Sequence, residues 1–270
     1  MEVCLLWSWS ENGDRMSGIY DHIKQMFDQN LHSNVVYLAN FVLSVSDHNP
    51  EIISISNKFK TYVHYGDSLY SLGQYRKAEN VYRKALQFKK SLIKCKGAKL
   101  QENHKETISD IDIKYQIHLC LLNLKQNHQA IGVLQTIPGK QRSPKINMAL
   151  AKLYHQEGME RSAVSAYKEV LRECPLALEA VEGLLSLGVK GAEVASFMLD
   201  GISTLPNMEW LTTWVRARAH FFAKEYMQAG TLLRQLDDRN VLRDNPTLLV
   251  ALGECLHHAG DHSAALTVLL

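Results

Sequence analysis

The stretch PKINMALAKLYHQEGMERSAVSAYKEVLRECP, residues 144–175, decides the fold of this 270-residue chain. Its apolar residues recur with the 3.6-residue period of a helix, first at Ile146, Leu150, Leu153 and Tyr154 and then at Ala163, Val164, Tyr167, Val170 and Leu171. Glu157-Gly158 separates the two sets as a turn, and Pro175 stops the second helix. The stretch therefore predicts two amphipathic helices joined by a tight turn, an αα-hairpin.

The order of residues in this hairpin matches a known repeat. A tetratricopeptide repeat carries Trp-x2-Leu-Gly-x2-Tyr, then Ala-x3-Phe and then Pro, over about 34 residues. The corresponding pattern here is Asn147-x2-Leu150-Ala151-x2-Tyr154, Ala163-x3-Tyr167 and Pro175. Small residues at Ala151 and Ala163 are expected to let the two helices approach closely, while the two tyrosines fill the space beside them.

The same skeleton recurs along the chain. It is matched best by Tyr65-Gly66-x2-Leu69 with Ala78-x3-Tyr82, and again by Leu252-Gly253-x2-Leu256 with Ala265-x3-Leu269. Aligning these positions places repeat starts near residues 59, 111, 144, 178, 210 and 246. Four of the five intervals lie within two residues of about 34, and the first holds a polar insertion, predicted over 94–109. Because each repeat buries its faces only against its neighbours, we predict an all-α, right-handed superhelical solenoid of tetratricopeptide-type helix-turn-helix repeats over residues 51–270.

A pair of helices precedes this array, over residues 17–50. The second helix of the pair, over residues 35–45, is apolar nearly all round. Such a helix is covered by neighbouring helices, or part of it faces another subunit. Val35, Phe41 and Val42 are therefore candidates for a dimer interface. Residues 1–16 lack the basic region of a signal peptide, and we predict that they form a disordered leader.

Composition argues against several classes of partner. The formal net charge of +2 gives no global reason to expect nucleic acid or membrane, and no apolar run approaches the ~20 residues of a membrane span. The five cysteines are scattered without a C-x-x-C, which fits a reducing intracellular compartment. Between Arg76 and Lys99, nine basic residues face one acid, Glu79. Few aromatic residues are interleaved with them, so the run favours a solvated face over a phosphate-binding one.

The sequence contains no motif of known catalytic chemistry, so we expect neither enzymatic activity, nor a cofactor, nor a small-molecule substrate. Glu254, His258 and His262 are four residues apart, but Gly260 interrupts the helix between the histidines, which favours solvated side chains over a metal site. His118 and Cys120 are two residues apart on a helix and point to different faces, so they do not predict a nucleophile.

The first helix of each repeat is expected to line a concave surface that binds protein. The candidate residues of this groove are Tyr70, Tyr115, Leu119, Leu122, Trp214 and Phe221. Aromatic and leucine side chains suit a protein partner, although they could equally serve repeat-to-repeat packing. The carboxylate clamp of chaperone-binding repeats needs lysine and asparagine where this chain has Val63 and Asp67. A chaperone cofactor is therefore disfavoured.

The chain stops at Leu270, inside the second helix of the last repeat. Natural arrays end with a polar capping helix, whereas Leu266, Val268 and Leu269 have no following helix to cover them. We therefore expect the last repeat to be truncated and the chain to be a fragment or short isoform of a longer array.

Several segments lie outside any general repeat consensus: LHSNV at 31–35, PKINM at 144–148, AYKEVLRECPLAL at 166–178, GLLSLGVKGAEVAS at 183–196 and LRDN at 242–245. With these segments, residues 16–270 resemble the subunit-seven family of the anaphase-promoting complex, or cyclosome. The resemblance implies a non-catalytic scaffold of a cullin-RING-type ubiquitin ligase that acts in mitosis, in the nucleus and cytoplasm. It also implies a homodimer formed through the N-terminal repeats, and stacking on other repeat-containing subunits. The alternatives are a generic peptide- or chaperone-binding repeat adaptor and an enzyme with an unrecognised site.

Overall fold

The computed structural model describes residues 18–95, 109–203, 205–238 and 242–270. Within these residues the chain forms fourteen α-helices and no strand, which confirms the predicted all-α class. The helices are α1 (Ile19–Asp28), α2 (His32–His48), α3 (Ile55–Ser71), α4 (Tyr75–Cys95), α5 (Asp110–Asn123), α6 (Asn127–Gln135), α7 (Pro144–Gln156), α8 (Glu160–Glu173), α9 (Leu178–Ser186), α10 (Gly191–Ile202), α11 (Glu209–Phe222), α12 (Tyr226–Asp238), α13 (Pro246–His258) and α14 (His262–Leu269). Short 3-10 turns lie at Pro50–Ile52 and Gly139–Gln141. The leader predicted over 1–16 and most of the predicted insertion, residues 96–108, fall outside the described residues.

The described helices pair into seven hairpins. All seven turns share one backbone conformation and one pattern of hydrogen bonds. Each turn holds a single residue with positive φ: Asn30, Gly73, Lys125, Gly158, Gly188, Lys224 and Gly260. In the hairpin of α7 and α8, the amide of Gly158 donates to the carbonyl of His155 and the amide of Met159 donates to that of Tyr154. The same pair of bonds recurs in every turn, which is the Schellman motif that ends helices with a left-handed residue.

The chain divides into two compact units, residues 1–136 and 137–270. In the first unit, α1 packs on α2 and α3, and each helix from α2 to α5 packs on the next. The approach of α3 to α4 requires glycine at position 66, since a Cβ there would lie 2.5 Å from the Tyr82 ring. The fully buried Tyr82 ring occupies the space that a side chain at position 66 would need.

The second unit repeats this arrangement from α7 to α14. Ala151 and Ala163 are fully buried between α7 and α8, and Tyr154 and Tyr167 are buried beside them, as the hairpin pattern predicts. The Tyr167 ring also lies 2.5 Å from where a Cβ on Gly183 would stand, so α9 packs closely on α8. Leucine, alanine and cysteine side chains of α11 to α14 form a further core cluster.

Several boundaries differ from those that the sequence predicts. Helix α2 begins at His32 rather than at residue 35, because Asn30 takes the left-handed conformation and closes the first turn at residues 29–31. Helix α3 begins at Ile55, four residues before the predicted start near 59, because the Ser54 side chain accepts a hydrogen bond from the Asn57 amide and caps it. Ser109 caps α5 through a capping box, so that helix starts at the predicted end of the insertion.

None of the helices within the described residues combines the length and the apolar character that crossing a membrane requires.

Candidate protein-binding site

A cavity of about 500 Å³ opens in the second unit among residues of α9, α11 and α13, with Leu242 and Asn245 at its edge. Its walls combine apolar and charged side chains: Leu178, Trp210, Trp214, Leu242, Val250 and Ala251 on the apolar side, and Glu179, Glu182, Arg218 and Glu254 on the charged side. Trp214, a candidate groove residue from the sequence, thus lines a concave surface. A cavity of this size accommodates one or two side chains of a bound segment.

Helical spacing places these residues together. Trp210, Trp214 and Arg218 are four residues apart on α11 and so share one face of the helix. Leu211 and Val215 lie on the adjoining face of the helix and are buried in the core. On α13, Val250 lines the cavity while 50% of its surface remains exposed. The apolar wall is therefore accessible to a partner.

Arg218 is the most strongly held charge in this cavity. Its Nε donates to Oε1 of Glu182 at 2.7 Å, and its Nη2 donates to Oε2 at 2.8 Å. Burial by itself lowers the pKa of Arg218, but the hydrogen bonds and charge of Glu182, together with the charge of Glu254, raise that pKa above its ordinary value. The remaining nitrogen, Nη1, is buried without a hydrogen bond, and Oε2 of Glu254 lies 3.6 Å away. Nη1 is therefore a buried donor that only the longer ion pair with Glu254 compensates.

The cavity as a whole is acidic. Three carboxylates line it against the single guanidinium of Arg218. Lys152 neutralises Glu179 through an ion pair of 2.5 Å, and Glu182 is occupied by Arg218. Glu254 is half-exposed and has no ion pair shorter than 3.6 Å among the described residues. This balance favours neutral or basic groups in a bound segment and disfavours a carboxylate.

Phe221 does not line this cavity. Its ring lies 4.7 Å from the guanidinium carbon of Arg218 and 5.7 Å from the ring of His258, and it packs partly against the core. Within the chain, the Phe221 ring therefore contacts the Arg218 guanidinium through a cation–π interaction.

The four groove candidates of the first unit lie on α3 and α5, and all of them are half-buried: Tyr70, Tyr115, Leu119 and Leu122. The Tyr70 hydroxyl accepts a hydrogen bond from Nδ2 of Asn123 at 3.2 Å, which links α3 to α5. The Tyr115 ring lies 4.5 Å from the ring of His118. Both tyrosines therefore contribute to packing within the chain and keep part of their surface accessible.

The candidate dimer residues divide into two groups. Val35 is fully buried and Val42 is 6% exposed, because both pack into the core with Tyr20 and Ile23 of α1. They are therefore not available to a partner surface. Phe41, by contrast, is 64% exposed.

Phe41 belongs to a row of accessible apolar side chains that the sequence interpretation did not single out. Tyr37 and Val45, one helical turn to either side of Phe41, are 69% and 45% exposed. We call Tyr37, Phe41 and Val45 the α2 apolar stripe. Its spacing of four residues was visible in the sequence, but the apolar residues around the rest of α2 obscured it.

The residues weighed for catalysis or metal binding lie in other environments. Burial raises the pKa of the Cys120 thiol to about 12, and the Nδ1 atom of the buried His118 lies 2.6 Å from the Tyr115 carbonyl. His258 stacks on Tyr226 with ring centres 4.9 Å apart. Within the described residues, no group of three or more histidine, cysteine or acidic side chains is arranged to hold a metal ion.

Comparison with known proteins places this arrangement in context. A family model described as Tetratricopeptide repeat matches residues 59–91. Among solved structures, a tetratricopeptide repeat protein from Parabacteroides merdae superposes with a TM-score of 0.53 at 13% identity, covering 92% of this chain and 90% of that one. These likenesses support the fold of helical repeats.

Curated relatives carry a more specific likeness. Anaphase-promoting complex subunit 7 from Homo sapiens is 42% identical over 251 residues, which are 90% of this chain and 44% of the relative. The Mus musculus protein of the same name is 42% identical over 250 residues, again 90% of this chain and 44% of the relative. The Arabidopsis thaliana protein of that name is 25% identical over 239 residues, 81% of this chain and 42% of the relative. The chain thus spans less than half the length of these relatives, and the resemblance read from its segments is confirmed.

Proposed function

Since this chain is a relative of anaphase-promoting complex subunit 7, we propose that it acts as a non-catalytic scaffold within a ubiquitin ligase of that kind, supporting ubiquitination of cell-cycle proteins. The observation that carries this proposal is the 42% identity to the human subunit across 90% of the chain. The matched part covers 44% of that subunit, so contacts made by the rest of the relative lie outside the proposal.

Self-association is the first scaffold activity that we propose, through the α2 apolar stripe. Tyr37 and Phe41 each leave more than three fifths of their surface in water. Burying large apolar side chains of this kind stabilises an interface by about 1.5–3 kcal/mol each. A second copy of the chain is a suitable partner, because a two-fold interface places the same stripe on both sides.

The oligomeric state of the purified 270-residue chain tests this proposal. Phe41→Glu places a charge in the stripe without touching the core, and sedimentation equilibrium should show a shift from dimer to monomer. Met227→Glu is the matched control, because Met227 is a 73% exposed apolar residue on α12. A wild-type chain that sediments as a monomer, or equal dissociation of both variants, would refute self-association through α2.

Contact with other repeat-containing subunits is the second activity, and we assign it to the cavity lined by Trp214. The cavity offers accessible apolar surface at Leu178 and Val250 beside the half-exposed carboxylate of Glu254. A partner segment with an apolar side chain next to a neutral or basic group fits both features. The net acidic lining argues against the alternative of a chaperone adaptor, which binds a terminal carboxylate.

An affinity purification separates these two activities. The tagged chain is expressed in dividing cells, and the recovered cyclosome subunits are quantified by mass spectrometry. Val250→Glu should reduce recovery of other subunits and leave the chain's own dimer intact, whereas Met227→Glu should change neither. Failure of the soluble wild-type chain to recover any cyclosome subunit would contradict the scaffold proposal as a whole.

A further inference from the structure

The exposed face of α4 carries five cations, with the neutral Asn80 and Gln87 between them. Arg76, Lys77, Arg83, Lys84 and Lys90 fall within a sector of about 140° around the helix axis, at 100° per residue. The opposite face carries the side chains that anchor α4 in the core, among them Ala78, Tyr82 and Ala85. We call the five cationic residues the α4 basic stripe.

A buried acid holds two members of this stripe in place. Glu79 is 4% exposed, and its carboxylate accepts from Nε of Arg83 at 3.0 Å and from Nη1 of Arg76 at 3.3 Å. The two guanidinium groups remain about half exposed, at 46% and 58%. Since each guanidinium has five N–H donors, most of these donors stay available on the outer side.

The lysines of the stripe are unpaired within the part of the chain that the structure describes. Lys77, Lys84 and Lys90 are exposed and form no ion pair there. Lysines beside the stripe behave differently, since Lys58 pairs with Asp47 at 2.6 Å and Lys89 pairs with Asp110 at 2.9 Å. Among the lysines, positive charge is thus neutralised beside the stripe but not on it, while Glu79 offsets part of the charge of the two arginines.

The segment that contains the stripe has a higher net positive charge than the chain as a whole. Between Arg76 and Lys90 there are six basic residues and one acidic residue, whereas the chain as a whole carries a formal charge of +2. The rest of the chain is therefore net acidic. A local field of this kind accelerates and orients the binding of an oppositely charged partner.

We infer that the α4 basic stripe docks an acidic, glutamate- or aspartate-rich segment of a partner protein. The stripe is about 21 Å long, which an extended segment of about seven residues spans. Guanidinium groups held in fixed orientation match the fork of a carboxylate. The inference is independent of the scaffold proposal, because it rests on α4 alone.

A nucleic acid fits the stripe less well. Proteins that bind single strands interleave cations with exposed aromatic rings on which bases stack. Here Tyr82 is fully buried, and the half-buried Phe88 packs against Tyr62 with ring centres 5.9 Å apart. The stripe itself contains no aromatic residue. The sequence alone favoured a solvated face for this run, and the orientation of Arg76 and Arg83 by Glu79 is what the structure adds.

Fluorescence polarisation of the purified 270-residue chain tests the inference. The probe is a fluorescein-labelled ten-residue peptide of alternating glutamate and serine, titrated at about 50 mM salt and again at about 200 mM. We expect saturable binding that weakens with salt and that falls about tenfold in Lys77→Glu/Lys84→Glu. The single variant Lys90→Glu should show a smaller loss, and it serves if the double variant does not fold.

The matched control is Lys140→Glu/Lys190→Glu, which makes the same change in net charge at exposed lysines of the second unit. It should bind the probe within about twofold of the wild type. Equal losses in both double variants would overturn the inference, because they would show an effect of net charge alone. Tighter binding of a labelled ten-nucleotide oligothymidine than of the peptide, or no saturable binding at all, would also overturn it.

Discussion

Arg218 and Glu182 join two successive repeats of the second unit through paired hydrogen bonds of 2.7 and 2.8 Å. Glu182 lies on α9 and Arg218 on α11, so the pair fixes how the first helices of neighbouring hairpins sit against each other. The same pair forms one wall of the cavity, and this links the stability of the stack to the geometry of the candidate binding site.

Replacing Glu182 should therefore destabilise the second unit. Glu182→Ala leaves the guanidinium of Arg218, which is 12% exposed, without its main partner, and we expect a loss of about 1–2 kcal/mol in the free energy of unfolding. Urea denaturation measures this loss. Glu193→Ala is the control, because its ion pair with Lys168 is more exposed and should contribute less than about 0.5 kcal/mol. Equal losses would mean that the Arg218 pair has no special structural role.

Adding a methyl group at Gly66 should disrupt the packing of α3 on α4. The new Cβ would lie 2.5 Å from Cε1 of Tyr82, whose buried ring has no room to move away. We expect Gly66→Ala to cost about 1–3 kcal/mol in thermal or urea unfolding. Gly132→Ala on α6 is the control, since a Cβ there meets no neighbouring atom, and better helix propensity should stabilise the chain by about 0.5–1 kcal/mol. If Gly66→Ala leaves the free energy of unfolding unchanged, the close approach of α3 to α4 is contradicted.

Replacing a left-handed lysine in a turn by glycine should stabilise the protein. Lys125 and Lys224 have φ of 56° and 63°, a region that costs an L-residue about 1–2 kcal/mol relative to its usual conformation. We expect Lys224→Gly to raise the free energy of unfolding by several tenths of a kcal/mol to about 1 kcal/mol. The reverse change, Gly158→Ala at φ 71°, should lower it by about 1 kcal/mol although the site is sterically open. A loss of stability in Lys224→Gly would show that the lysine side chain contributes more than the backbone strain removes.

Asp67 should make stability depend on pH. Burial raises the pKa of its carboxyl, although the Tyr82 hydroxyl, which donates to Oδ1 at 2.5 Å, partly offsets that rise. A carboxyl whose pKa is raised on folding binds its proton more tightly in the folded state, so its contribution to stability falls as pH rises past the unfolded value of about 3.9. Asp67→Asn keeps an acceptor for Tyr82 and removes the buried charge.

We therefore expect Asp67→Asn to be more stable than the wild type at pH 7, with the difference shrinking as the pH is lowered toward 4. Urea unfolding at a series of pH values measures this difference. The half-exposed Asp237 on α12 provides the control substitution, Asp237→Asn, which should run parallel to the wild type. A difference that stays constant across the series would show that the charge of Asp67 does not act in this way.

The sequence predicted the hairpins because their determinants are local. Helical periodicity located α7 and α8, and glycine located the helix ends at Gly158 and Gly260. The turns at Asn30, Lys125 and Lys224 use the same left-handed geometry without glycine, so their residue types gave no comparable signal. The repeats around them were located from alignment and apolar spacing instead.

The candidate site was only partly predictable, because its residues come from several repeats. Trp214 followed from its position on the first helix of a repeat, but Glu182 and Val250 come from two other repeats. Likewise, the apolar run of α2 did not reveal that Val35 and Val42 face the core while Phe41 faces solvent.

The sequence by itself determined the fold class, the hairpin order and the family likeness, since these depend on residues within about 34 positions of each other. The tertiary structure alone decided which apolar side chains remain accessible and which charges meet across repeats. Those outcomes depend on how each hairpin is rotated against the next, and that rotation is set by the combined packing of side chains from both hairpins.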